Sequence, residues 1–191
     1  MSLYYKTMLD FDIKSIKLLV FYILITSCSD DDITLDQTPP SFMVTPITIH
    51  EVSSFIAFGE SLTPTQQNPA IEYFTKQSNI QLRSVSDGVV EDIRMNSNID
   101  DLEIWIKPND NSTWLIIQDH ILDVNVSLGD QVDAGQILGR VGLGNRTELQ
   151  INRINGENNI AHCPLNFGTQ NFVIQHTSFF ENWCVAETVI P

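Results

Sequence analysis

Residues 119–153, Asp119 to Arg153, read DHILDVNVSLGDQVDAGQILGRVGLGNRTELQINR. Gly129-Asp130 begins nine residues after His120, Ala134-Gly135-Gln136 follows five residues on, and Gly139 and Gly142 lead into the short alternating run Glu148-Leu149-Gln150-Ile151-Asn152. The glycines punctuate strands, because each falls between short apolar stretches where a chain turns rather than continues. No helical pattern follows Gly139-x-x-Gly142-x-Gly144 to cradle a phosphate, so these residues read as turns and not as a nucleotide loop.

Outward from this stretch the pattern stays β. Gln81 to Val85 is a strand, Ser86-Asp87-Gly88 a turn, and Val89 to Met95 a second strand. Leu102, Ile104 and Ile106 share one face of the strand Leu102 to Lys107; Pro108-Asn109-Asp110-Asn111 turns the chain, and Thr113 to Gln118 returns it. Short strands are expected to continue to Val173-Gln175, with no useful helical periodicity after residue 45 and no repeat of 20–50 residues. The fold class is therefore all-β and antiparallel, a sandwich or barrel.

The first thirty residues predict export. Lys14 and Lys17 accompany an apolar run from Ile16 to Ile25, too short to span a bilayer and of the length of a signal-peptide core. It ends Ile25-Thr26-Ser27-Cys28, which resembles a bacterial lipobox, and Ser29-Asp30-Asp31-Asp32 resembles the acidic signal that sends Bacteroidetes lipoproteins to the outer face of the outer membrane. That reading implies lipidation at Cys28 and contact with the membrane through the anchor alone, since two or more acyl chains hold stably where one is marginal. Without residues 1–27 the chain has seven basic and twenty-two acidic groups, a formal charge of −15. Such a chain repels nucleic acid, and no basic stripe interleaved with aromatics opposes that. With Cys28 acylated, Cys163 and Cys184 are an even pair in a compartment that permits disulfides. Their bond is expected as a clamp of the C-terminal tail onto the core, closing a loop of about twenty residues and stabilising the fold by roughly 3 kcal/mol; two free thiols are the alternative.

The order of elements, a histidine, then G-D-x-V-x-A-G-Q-x-x-G, then a short strand, resembles the lysostaphin-like (LytM-type) peptidoglycan endopeptidases over roughly residues 55–168. The resemblance implies an antiparallel barrel-sandwich hybrid, the duplicated hybrid motif. It also implies a catalytic zinc held by H-x-x-x-D and by the second histidine of H-x-H, with two further histidines serving the metal-bound water. Three protein ligands and an open position are what a hydrolytic zinc requires. Here Asn68-Pro69-Ala70-Ile71-Glu72 stands where H-x-x-x-D is expected, and Glu148-Leu149-Gln150 where H-L-H is expected. The ligand positions are thus Asn68, Glu72 and Gln150, with Glu148 at an assisting position and His120 alone retained in Gln118-Asp119-His120. Amides are poor zinc ligands, so no zinc and no peptidase activity by the family mechanism are expected.

Glu72, His120, Glu148 and Gln150 are expected to gather in one cleft, where a histidine beside carboxylates suits acid/base work or a weaker divalent ion. The bland alternative makes His120 a hydrogen-bonded remnant. His162, beside Cys163-Pro164, is expected to pack; His50 and His176 are read as structural. Residues 126–136 also resemble the hammerhead turn of biotinyl and lipoyl carriers, but Lys107 lies at the wrong end for a cofactor arm. No G-x-S-x-G or supported Cys/His pair is present.

These readings divide the chain into a signal peptide (1–27), an acidic linker (28–46), a degenerate LytM-like domain (47–175) and a C-terminal tail (176–191). Degenerate LytM domains activate cell-wall amidases, so the resemblance implies a regulatory or binding module for cell-wall peptide or an envelope protein. Trp105 and Trp114 offer either an aromatic surface for such a ligand or ordinary packing. Two alternatives stand: an active zinc endopeptidase using His120, His162 and glutamates in a rearranged site, and a surface glycan-handling or structural lipoprotein.

Overall fold

Ile104 and Ile106, which alternate with Glu103, Trp105 and Lys107, are fully buried, as period-two patterning requires of a half-buried strand. The computed structural model describes residues 34–156 and 158–191. The expected signal peptide, Cys28 and the acidic run Asp30-Asp31-Asp32 lie outside the described residues.

The strands are β1 (Val52–Ile56), β2 (Ser61–Thr63), β3 (Gln66–Gln67), β4 (Ile71–Thr75), β5 (Gln81–Arg83), β6 (Gly88–Met95) and β7 (Leu102–Lys107). There follow β8 (Trp114–Leu122), β9 (Gln131–Val132), β10 (Ile137–Val141), β11 (Arg146–Asn155), β12 (Asn158–His162) and β13 (Thr188–Val189). One eleven-stranded sheet runs in the order β1-β4-β11-β8-β7-β6-β9, with β10 joining β5 and β8, and β12 joining β11 and β13. All of these strand pairings are antiparallel. The core lies inside the curled sheet, where Ile71, Tyr73, Leu82, Ile104, Ile116, Leu138 and Leu149 are fully buried.

Two sequence expectations are corrected. Gln170–Phe179 is an α-helix, α1, where strand was expected to continue through Val173-Gln175. Thr169 caps it, its hydroxyl accepting from Phe172 N, and the helix buries Phe172 and His176. Val173, Ile174 and Thr177 are β-branched and make the segment look extended; the packing of Phe172 and His176 overrides that preference.

The linker expected over 28–46 is docked from Asp36 onward. Asp36 N donates to Asn111 O at 2.8 Å, Trp114 Nε1 donates to Gln37 O at 3.0 Å, and Phe42 is fully buried against Phe167 and Phe172. An aromatic side chain excluded from water outweighs the turn-forming prolines beside it. The tail expected over 176–191 is held on the core, as the expected Cys163–Cys184 bond implies. Trp183 is fully buried, β13 pairs with β12, and Cys184 is bonded to Cys163 with Cα atoms 5.9 Å apart.

Candidate functional site

Three neighbouring strands set three carboxylates in one row. Glu72 on β4 stands directly opposite Glu148 on β11, and Glu148 directly opposite Asp119 on β8; opposed residues of an antiparallel pair share a face. Tyr73, the next residue on β4, points the other way into the core. The β7–β8 register then slips: Leu102 pairs with Ile121 and Ile104 with Gln118, so Asp119 and His120 together face Glu103. This is a β-bulge, and His120 carries the left-handed φ of 55° that re-aims its side chain. Its Nε2 reaches Glu148 Oε1 at 3.3 Å and Asp119 Oδ2 at 3.8 Å.

Behind the imidazole lies Asp101, its side chain wholly buried. His120 Nδ1 is 3.1 Å from Asp101 Oδ2, Leu143 N donates to that oxygen at 3.2 Å, and Asn96 Nδ2 donates to Asp101 Oδ1 at 2.8 Å. The same Asn96 nitrogen donates to Asp119 Oδ1 at 2.7 Å, so one amide ties the two carboxylates together. Room for this contact exists because position 142 is glycine. A Cβ there would lie 2.5 Å from Asp101 Oδ2 and 2.7 Å from His120 O.

Burial pulls the His120 pKa down, but the hydrogen bond to Glu148 and the charge of Asp119 outweigh it, and the net shift is upward. Burial raises Glu72, and the facing Glu148 raises it further against the opposing pull of Arg146. Burial also raises Asp119 against its hydrogen bond from Asn96, and burial with the Asp119 charge raises Glu103. Both ring nitrogens of His120 thus stand beside a carboxylate, Nδ1 beside Asp101 and Nε2 beside Glu148.

Arg146, at the start of β11, completes the row. Two residues before Glu148 and so on its face, it pairs with Glu148 through Nη2 and places Nε 3.0 Å from Glu72 Oε2. The latter contact is an ion pair by distance; the Nε–H does not point along it as a hydrogen bond.

Of the residues expected at the site, Glu72, His120 and Glu148 do come together. Gln150 lies further along the same face of β11, where its Nε2 donates to Asn152 Oδ1 at 2.8 Å. Asn68 is buried before β4 and serves a local turn: Nδ2 donates to Ala57 O and Oδ1 accepts from Ala70 N, both at 3.3 Å. A tetrahedral zinc does not fit this set, since both amides at the implied ligand positions are engaged in local hydrogen bonds and the one carboxylate is ion-paired to a guanidinium.

His162 stands opposite Ile151, which places it on the face away from Glu148, and packs edge-on against Trp114 and Phe167. Burial and the Arg153 charge lower its pKa. A rearranged site of His120 and His162 is therefore not assembled. Trp105 and Trp114 do not form one aromatic surface: Trp114 is buried, whereas Trp105 lies beneath the Arg94 guanidinium, 3.4 Å from its ring centre. His176 is fully buried in the helix-side core, and His50 is exposed.

Sequence reasoning missed Asp101, Asp119 and Arg146. Alternation along β11 put Arg146 on the Glu148 face and so within reach of inference, and Asp119 adjoins His120. Asp101 carried no such signal, because Asn96 to Asp101 reads as an ordinary polar loop. Asp101, Asp119 and His120 offer ligand atoms within 4.8 Å of one another; Asn96 donates to one oxygen of each carboxylate, and the imidazole Nδ1 lies against both oxygens of Asp101.

No family model and no curated sequence matches this chain. Among solved structures it is similar to Csd3 from Helicobacter pylori, with a TM-score of 0.53 at 20% identity over 68% of this chain and 36% of that one. It is similar also to a chain of the SpoIIQ–SpoIIIAH pore-forming complex, with a TM-score of 0.54 at 17% identity over 70% of this chain and 94% of that one. Lysostaphin from Staphylococcus simulans matches at a TM-score of 0.47 and 16% identity over 62% of this chain and 52% of that one. The chain thus spans about a third of the Csd3 chain and half of the lysostaphin chain. At these identities the likeness is one of fold, and the fold is the antiparallel all-β architecture, LytM-like, that the sequence resemblance implied.

Proposed function

We propose that this chain is a non-catalytic binding or regulatory module: a LytM-like domain, lipid-anchored at Cys28 in the cell envelope, that has kept the peptidase body without the zinc centre. The observation that carries the reading is the state of the cleft. Asn68 and Gln150 are engaged in local hydrogen bonds, and His120 is held by carboxylates at both nitrogens, so neither a ligand set nor a general base is available.

The partner is a cell-wall peptide or an envelope protein. In its support, the similar chain of the SpoIIQ–SpoIIIAH structure belongs to a two-protein complex, and an acidic exported domain repels nucleic acid. Metal analysis of the purified protein, with digestion of crosslinked peptidoglycan, tests the loss of catalysis; pull-down against peptidoglycan and envelope extract tests binding. The expected result is substoichiometric zinc, intact crosslinks and retention of the chain on one of the two. One equivalent of zinc with chelator-sensitive cleavage would overturn the reading.

A further inference from the structure

The chain beyond Trp183 folds back over the protein as a strap. Within residues 184–191 Val189 alone is buried, while Val185 and Ile190 are 61% and 86% exposed. The backbone of the strap is fastened at few points. Val185 N donates to Phe58 O at 2.9 Å, Cys163 N donates to Glu187 O at 3.1 Å, and Val189 and Thr188 stand opposite Ala161 and His162 of β12. One buried side chain and these few bonds do not offset the entropy lost in ordering so many residues, and a terminal segment of this kind frays unless it is tied down. The tie is the bond from Cys184 to Cys163.

Both cysteines line an open pocket of about 460 Å³, together with Asn166, Val185, Ala186 and Glu187. They differ in access: Cys163 is 4% exposed, whereas Cys184 is half-buried. Thiol–disulfide exchange requires a thiolate to reach a sulfur, so the more open cysteine is the one attacked. The strap also holds the loop beside the cleft. Phe58 N donates to Trp183 O at 3.0 Å, and Ala186 lies so close to Gly59 that a Cβ on that glycine would stand 2.5 Å from the alanine Cβ. Gly59 N donates in turn to Asn68 O at 2.8 Å and Asn68 N to Glu60 O at 2.7 Å, which closes the loop carrying the β2–β3 hairpin. Ile56, just before this loop, stands directly opposite Glu72 of the carboxylate row.

We propose that the Cys163–Cys184 bond is a thiol-exchange site, opened by a dithiol that attacks the Cys184 sulfur, and that its redox state sets how firmly the loop 57–68 beside the cleft is held. One thiolate of the dithiol bonds to the Cys184 sulfur as the bond to Cys163 breaks, and Cys163 leaves as a thiolate. The second thiolate then attacks the donor's own sulfur in this mixed disulfide, and Cys184 leaves in the same way. Two electrons pass to the chain, the donor becomes a disulfide, and its two protons end on the two cysteines. Trp183, fully buried and stacked on Phe55, keeps the start of the strap in place, so release is confined to the residues beyond it. The device operates whatever the cleft binds.

The test treats the folded full chain with dithiothreitol in the absence of denaturant, quenches with iodoacetamide, and reads the alkylated cysteines by mass spectrometry. Both cysteines should be modified about tenfold or more faster than the chain unfolds, because an accessible disulfide does not wait for global opening. A monothiol, 2-mercaptoethanol, should be trapped on Cys184 and not on Cys163. Hydrogen exchange then compares the oxidised and reduced chains. On reduction the amides of Val185, Gly59 and Asn68 should speed up about tenfold relative to those of β8 and β11. Cys163→Ser with Cys184→Ser should reproduce that pattern; if this variant is not recovered folded, reduction of the folded wild type supplies the comparison alone. Reduction no faster than unfolding, trapping on Cys163, or a reduced chain that loosens uniformly or not at all over 57–68 would each overturn the proposal, and none of them would touch the proposed function.

Discussion

His120 and His176 are both buried, yet their surroundings move their protons in opposite directions. His120 contacts the polar face of the β4–β11–β8 row, and His176 contacts Tyr73 on the opposite face of β4. Around His120 stand Asp101, Glu148 and Asp119, and their combined pull exceeds the effect of burial. Around His176 stand a tyrosine hydroxyl at 2.9 Å and the Phe172 carbonyl at 2.9 Å, within the rings of Phe172 and Trp183. Burial there dominates and lowers its pKa to about 4. The lesson is that one strand of alternating residues divides the domain into a charged cleft and an apolar anchor, and that neighbours as well as burial decide which way a histidine's pKa moves.

If the anchor carries the stability, the largest loss should come from Trp183→Ala. Trp183 is fully buried, stacks on Phe55 at 4.0 Å and donates from Nε1 to His176 O, so truncation should cost about 3–5 kcal/mol in urea unfolding. A cleft substitution with an equal cost would erase the contrast between the faces. Next comes the bond that fastens the same region, between cysteines 21 positions apart in sequence. Cys163→Ser with Cys184→Ser should lose about 3 kcal/mol, and reductant should reproduce that loss in the wild type.

Acid should separate the two histidines by sign. The folded pKa of His176 is depressed, so its neutral form adds stability that is present above its unfolded value near 6.5 and lost as pH falls toward 4, by up to about 3 kcal/mol. The folded pKa of His120 is raised, so its contribution is full below about 6.5 and fades as pH rises through the folded value. Imidazole NMR titration checks both, and a His176 that titrates near 6.5 would contradict the packing described. Glu148→Gln should bring the His120 pKa down and cost about 1 kcal/mol, since it removes one charged acceptor. The smallest effect is expected at the surface: Arg94→Ala, which removes the cation from above Trp105, should cost about 0.5–1 kcal/mol.

Much of the sheet was legible from alternation alone. The strand Leu102 to Lys107 was read with the bounds it has, and the resemblance placed Glu72, His120 and Glu148 together. What escaped depended on distant contacts. The Gln170–Phe179 helix is rich in β-branched residues, and only the burial of Phe172 and His176 makes it a helix. Phe42 lies in a segment whose acidic, proline-broken composition suggests solvent, although its ring is inside the protein. In the cleft, Asp101 belongs to a loop with no periodicity, and its role arises when the Leu143 turn and Asn96 close around it.

Gly142 gives the family-like glycine run another meaning. The space its missing side chain leaves is taken up by Asp101 and the backbone of His120, and Gly139 is crowded in the same way by Leu122 O, 2.6 Å from where a Cβ would stand. Such residues are clearances machined into the scaffold, needed whether or not any bond is ever cut nearby. A chain can therefore carry this glycine spacing for its packing alone, whatever chemistry stands beside it.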